Sequence, residues 1–121
     1  MAKKVLVVED DPATLRLVEY LLKKEKLNVI LAKDGREGLK KAQEKPDLII
    51  LDIMLPEMSG LEIIEKLKNN KDLRKIPIMI LSSLGEEALV SSALKKGADE
   101  YIVKPFATGF LVAEVKRLLK M

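Results

Sequence analysis

The sequence predicts an α/β fold in which a parallel five-stranded sheet is covered by helices on both faces. Three observations carry the prediction. Five short apolar runs alternate with five stretches of helical spacing. The connections between them are only a few residues long, as βα units allow. The run at 47–51 (DLIIL) is apolar at four successive positions, the mark of a strand buried on both faces of a parallel sheet.

Each element has its own justification. The first strand, Lys4–Val8 (KVLVV), ends in Glu9-Asp10-Asp11. Residues 12–26 read as a helix. At ~100° per residue, Leu15, Leu17, Val18, Leu21 and Leu22 share an arc of about 160°. Asp11 is placed to cap this helix, with Pro12 at its first position. Asn28–Ala32 is the second strand, and Asp34-Gly35 opens a helix to about residue 44 that turns Leu39 and Ala42 inward. The third strand, 47–51, ends at Asp52. After the loop 53–58, Ser59-Gly60-Leu61-Glu62 has the pattern of a capping box opening a helix to residue 68. Residues 76–81 form a fourth apolar run ending at Ser82. Ser83-Leu84-Gly85-Glu86 offers a second capping box, and the helix after it stops at Gly97, a natural residue for a helix end. Glu100–Val103 is the fifth strand, ending at Lys104-Pro105. The last helix covers 108–120, with Leu111, Val112, Val115, Leu118 and Leu119 on one arc and Phe110 outside it.

Composition bounds the function. The 121 residues are expected to form one domain, 1–121, with 48% hydrophobic and 34% charged residues. The net charge is +3, aromatic residues make up only 3%, and the charges are interspersed along the chain. A direct nucleic-acid partner is therefore not expected, since such proteins combine a basic stripe with stacking aromatics. There is no Cys and no His, which excludes disulfides, thiolate chemistry, Cys/His zinc sites and His-based triads. Any metal must sit on oxygen ligands, as Mg²⁺, Ca²⁺ or Mn²⁺ does. No apolar run approaches the ~20 residues that span a bilayer. With no secretory leader pattern, the expectation is a cytoplasmic protein without a membrane partner.

In an open parallel sheet, ligands bind beyond the carboxyl ends of the strands. Those ends supply Glu9 and Asp10, Asp52, Ser82, and Lys104, whereas the second strand adds only Lys33 and Asp34. Clustered carboxylates repel one another unless a cation sits among them. A hard divalent ion fits, because Mg²⁺ takes one or two carboxylates together with phosphate oxygens. An amine and a hydroxyl opposite suit a phosphoryl group, and a carboxylate can itself attack phosphorus to give an aspartyl phosphate. Singly, each residue reads more readily as a cap, a turn or a solvated loop side chain. Their coincidence on one edge points to phosphoryl transfer onto an Asp.

The segments VLVVEDD, DLIILDIMLPEMSG, ILSS and GADEYIVKPF, in this order and spacing, resemble the receiver domain of bacterial two-component response regulators, in the single-domain form found in chemotaxis. The resemblance covers the whole chain. It implies a flavodoxin-like, doubly wound sheet in strand order 2-1-3-4-5 with five helices. It implies Asp52 as phosphoacceptor and Asp10 as a direct Mg²⁺ ligand, with Mn²⁺ as an alternative ion. Glu9 reaches the ion through water, and Met54 offers its backbone carbonyl. Ser82 hydrogen-bonds the phosphoryl oxygen and Lys104 pairs with it. A cis bond precedes Pro105, and Tyr101 occupies a switch position. The implied phosphodonor is a phosphohistidine on a sensor histidine kinase or histidine phosphotransfer protein. Phosphorylation is expected to draw Ser82 toward the phosphoryl group, let Tyr101 turn inward, and reshape the face of the fourth helix, fifth strand and fifth helix. That face would control a downstream protein target or output domain, or a phosphorylation-dependent homodimer. The chain departs from the commoner pattern with Glu9 for Asp, Ser82 for Thr, and an unusual Ala107-Thr108-Gly109-Phe110 opening to the last helix.

Two rival readings remain at this point. One is a phosphatase of the haloacid dehalogenase type, which wants an acid two residues after its nucleophile, where this chain has Met54. The other is a binding module that keeps the fold without being phosphorylated.

Overall fold

The computed structural model describes residues 2–121. Strands and helices alternate as β1 (Lys4–Val8), α1 (Pro12–Lys24), β2 (Asn28–Ala32), α2 (Gly35–Ala42), β3 (Leu48–Leu51), α3 (Gly60–Lys68), β4 (Ile78–Ser82), α4 (Glu87–Lys96), β5 (Glu100–Val103) and α5 (Thr108–Leu119). All four strand pairings are parallel, and the sheet order is β2-β1-β3-β4-β5. This is the flavodoxin-like, doubly wound arrangement expected.

The two-residue period of the strands sorts the core into two layers. Val5, Val7, Leu48, Ile50, Met79 and Leu81 point to one face, where α1 contributes Leu15, Val18 and Leu22 and α5 contributes Leu111, Val115 and Leu119. Leu6, Val8, Ile49, Leu51, Ile78 and Ile80 point to the other, where α2, α3 and α4 pack. β3 and β4 are buried at every residue, which explains their uninterrupted apolar sequence. No helix among the described residues is long and apolar enough to cross a membrane.

Several boundaries differ from the sequence reading, each for a local reason. α1 stops at Lys24 because Lys26 takes a left-handed φ of 64°, and α2 stops at Ala42 ahead of Lys45, with φ 54°. Asp47 stands outside β3 because its carboxylate accepts the Lys4 backbone N–H at 2.8 Å. β4 begins after Pro77, which has no N–H for the ladder. Neither capping box forms. Ser59 caps α3 alone, its hydroxyl accepting the Leu61 N–H. α4 begins at Glu87 behind Glu86, which makes no side-chain cap hydrogen bond. The expected cap at Asp11 does form, accepting from the backbone N–H of Thr14, and Asp34, where α2 was expected to open, caps it by accepting from that of Glu37.

Candidate functional site

The chain leaves β1 toward β2 on one side and returns to β3 on the other, so the sheet order reverses between β1 and β3. Ligand sites belong at the carboxyl ends of two such strands. The ladder extends into the site: the backbone N–H of Glu9 donates to the Ala32 carbonyl (3.0 Å), that of Asp52 to Val8 (3.1 Å) and that of Lys104 to Ser82 (2.8 Å). Three site residues are therefore terminal rungs of the sheet rather than loop residues.

Lys104 is the hub. Its Nζ lies 2.7 Å from Glu9 Oε1 and 3.3 Å from Asp52 Oδ2. The three side chains are 18%, 4% and 8% exposed, so the pairing is largely shielded from solvent. The second Glu9 oxygen accepts the Asp11 backbone N–H at 3.1 Å, and Asp52 Oδ1 accepts that of Met54 at 3.2 Å. Burial pushes the Glu9 carboxyl above its ordinary range, and the Asp52 charge adds to this, although hydrogen bonds from Lys104 and Asp11 pull the other way. For Lys104, burial disfavours the ammonium, but the Glu9 hydrogen bond and the charges of Asp52 and Glu9 outweigh it and hold the amine above its ordinary value.

Asp10 lies beside this pair, exposed to solvent. Glu9, Asp10 and Asp52 each place a carboxylate oxygen within 4.8 Å of the others. An all-oxygen cluster of this size fits a hard divalent cation. The Met54 side chain points outward, 57% exposed.

On the other flank, Ser82 is fully buried at the end of β4, and its hydroxyl accepts the Leu84 N–H at 3.2 Å. Tyr101 is half-buried against the core, its hydroxyl donating to the Leu84 carbonyl. Burial pushes its phenol up, as do the charges of Glu86 and Asp52, against the opposing influence of the Ser82 hydroxyl. The Lys104–Pro105 peptide bond is cis.

The arrangement joins an acid cluster, a shared amine and a buried hydroxyl at one sheet edge. The sequence matches the profile of the response regulator receiver domain over residues 5–116. The chain belongs to this receiver-domain family. Receiver domains of two-component response regulators signal through an aspartyl phosphate.

This receiver domain is 43% identical over 121 residues to the alkaline phosphatase synthesis transcriptional regulatory protein PhoP of Bacillus subtilis, a match covering 99% of this chain and 50% of PhoP. The chain spans about half the length of PhoP and of similar curated relatives. The chemotaxis response regulator CheY4 of Vibrio cholerae superposes with a TM-score of 0.91 at 30% identity, covering 98% of this chain and 99% of CheY4. The signal receiver domain of a signal transduction histidine kinase from Syntrophus aciditrophicus superposes with a TM-score of 0.90 at 36% identity, covering 98% and 91%.

Sequence reasoning placed Glu9, Asp10, Asp52, Ser82 and Lys104 on this edge, and the receiver fold brings Glu9, Asp10, Asp52 and Lys104 into one cluster. It did not foresee that Lys104 approaches Glu9 more closely than Asp52, a contact between residues 95 apart in sequence. It also passed over Gly60. A Cβ there would stand 2.3 Å from the Asp52 carbonyl oxygen and 2.7 Å from Ile53 Cα, so only glycine lets α3 begin against the back of the Asp52 loop. The signal was the glycine behind the Ser59 cap, read there only as part of a capping pattern.

Proposed function

We propose that Asp52 is the phosphoacceptor of a two-component signalling switch, taking its phosphoryl group from a phosphohistidine on a sensor histidine kinase or histidine phosphotransfer protein. The observation that carries this reading is the amine of Lys104, held between Glu9 and Asp52 beside an all-oxygen cluster. A carboxylate oxygen of Asp52 attacks phosphorus, the P–N bond to the donor imidazole breaks in line, and the imidazole leaves with the electron pair. Lys104 lies where its ammonium can follow a phosphoryl oxygen, exchanging a carboxylate partner for a more highly charged one. Asp10 and Asp52 would hold Mg²⁺, or Mn²⁺ in its place, with Glu9 reaching it through water and Met54 contributing its backbone carbonyl. Such an ion supplies charge neutralisation for the phosphoryl oxygens.

Ser82 and Tyr101 form the readout. The Ser82 hydroxyl turns from the Leu84 N–H toward the new phosphoryl oxygens, and the loop carrying Leu84 follows. Tyr101 is tied to the Leu84 carbonyl, so this shift reshapes the face of α4, β5 and α5. Leu94, Val103 and Phe110 are 44%, 42% and 52% exposed on these elements and give that face apolar contacts for a downstream protein, an output domain or a second copy.

Incubation with a small acyl phosphate donor and Mg²⁺, followed by intact mass measurement, tests the proposal. One phosphoryl group per native chain and none on Asp52→Ala is the expected result. Equal modification of both chains would place the chemistry elsewhere, and rapid multiple turnover would indicate a phosphatase.

A further inference from the structure

Charges that are interspersed in the sequence are segregated in space. The fold sends every αβ connection to one pole of the sheet and every βα connection to the other. At the strand-N-terminal pole, all five helices end with two basic residues in the last turn. The loops there add Lys26, Lys45, Lys71, Arg74 and Lys75, with Lys3 and Lys120 beside them. Loops and last turns together hold seventeen of the 22 Lys and Arg residues against six carboxylates. The loops and first turns at the opposite pole hold ten of the 19 carboxylates, including the Asp52 cluster, against three cations.

Basic last turns also serve to offset the negative helix ends, each worth about half a charge. Five such ends remove only about 2.5 units of a surplus of eleven. Dipole compensation also leaves a second feature unexplained. Lys26, Lys45 and Lys120 each follow a helix with φ of 64°, 54° and 59°. This left-handed region favours Gly, and a side chain there is strained. At three of the five helix ends the chain places a cation where a neutral Gly would be the more stable choice. The carboxylates of the region neutralise only part of the pole. Asp47 and Asp99 accept the backbone N–H groups of Lys4 and Ile78. Of the seventeen cations, Lys23, Lys41, Lys96, Lys116 and Arg117 form ion pairs, and the other twelve have none among the described residues.

We propose that this pole binds the phosphate backbone of double-stranded nucleic acid without reading its sequence. The cations are spread over the whole pole rather than gathered into a pocket, which suits an extended, evenly charged partner. Among the described residues, the exposed large apolar side chains are Leu17, Tyr20, Met54, Leu94, Val103, Phe110 and Met121, and only Leu94, in the last turn of α4, and Met121 belong to this pole, as isolated residues on separate segments. The pole therefore offers neither the buried apolar centre of a protein interface nor the wedge of a lipid-inserting surface. Both Phe and both Tyr residues lie in other segments, which disfavours a single strand, whose bases need aromatic platforms. The contacts are to phosphate, and the fold places the Asp52 site at the opposite pole, so neither site obstructs the other.

The test is fluorescence anisotropy with a labelled 20-base-pair duplex of arbitrary sequence, titrated at increasing NaCl. The expected outcome is binding at low salt with a log–log slope of about −3 to −6. In the triple variant Lys26→Gly/Lys45→Gly/Lys120→Gly, affinity at low salt is expected to fall at least tenfold while the melting temperature rises. A purely structural role for these lysines would not separate the two readouts that way. Lys33→Gln, at the opposite pole, is expected to bind as the native chain does. A slope shallower than about −2, or undiminished affinity in the triple variant, would overturn the proposal. So would single strands or polyglutamate binding as tightly as the duplex, or self-association at low salt in place of duplex binding.

Discussion

Lys104 is the residue whose loss should be felt first. Without it, Glu9 and Asp52 remain buried with no cation between them, and leaving one side of a shielded pair uncompensated costs about 3 kcal/mol. Lys104→Met is expected to lower the unfolding free energy from urea titration by that amount in EDTA, and Mg²⁺ should restore more stability to the variant than to the native chain. A variant as stable as the native chain in EDTA would show that the two carboxylates are solvated after all. Glu100 presents the reverse situation. Burial, and then the adjacent Glu114 carboxyl, raise its pKa, while Arg117 opposes the shift. A carboxyl raised in the folded state contributes stability that is present below its ordinary range and lost as the pH climbs through the raised value. Glu100→Gln keeps an acceptor for the Tyr101 N–H, gives up only the exposed 3.4 Å contact with Arg117, and removes the charge that faces Glu114. It should therefore melt a few degrees above the native protein at pH 7, with the difference shrinking toward pH 4. Thermal melts of the two proteins across that range check this. A gap that instead widened toward acid would reverse the assignment.

Among the helices, α4 is the least anchored. Only Ala93 on it is fully buried, and its first turn has no side-chain cap, whereas α3 buries Gly60, Ile63, Ile64 and Leu67 behind the Ser59 cap. Fraying needs little free energy where few apolar contacts are broken. Amide exchange is expected to be faster across α4 than across α1, α3 or α5. Equal protection of α3 and α4 would mean that the Lys96–Glu65 ion pair between them holds α4 more firmly than its packing indicates. Gly60→Ala probes the opposite end of α3. Its Cβ would meet backbone that cannot rotate away, so a loss of about 2 kcal/mol is expected in urea unfolding, together with slower phosphoryl uptake. Native stability in this variant would mean that the Asp52 loop yields freely. The α4 start was misread in the sequence because Ser83 and Glu86 satisfy the pattern of a capping box, yet Ser83 lies four residues before the first helical position. Gly97 was read correctly because a helix end at φ 123° leaves few alternatives to glycine.

Across the whole molecule, strand and helix order was legible because five repetitions of one unit reinforce each other, and a parallel sheet is what such a series builds. The edge carrying Glu9, Asp52, Ser82 and Lys104 was legible because each stands at the end of an apolar run. The Lys104–Glu9 pairing was not, because it depends on how far apart two strand ends finish in space. Nor were the charge poles, because Lys26 and Glu9 look equally interspersed until the topology sorts them. Like charges gathered at one pole repel, and ions screen that repulsion over about 10 Å at 0.1 M. The surface ion pairs that salt would weaken contribute little individually. Raising NaCl from low ionic strength to that of the cell is therefore expected to raise the melting temperature. A fall would show that the ion pairs outweigh the polar segregation.

The 95 residues separating the two ends of the Glu9–Lys104 contact mean that it forms only when β1 and the end of β5 are both in place. β5 sits at the margin of the sheet, so any excursion that peels it away withdraws the amine while leaving the acids in place. A chain caught in that half-finished condition keeps its attraction for divalent ions but lacks a countercharge for an acquired phosphoryl group. Under the proposed function, a chain that holds its phosphoryl group against Lys104 therefore has its last strand docked.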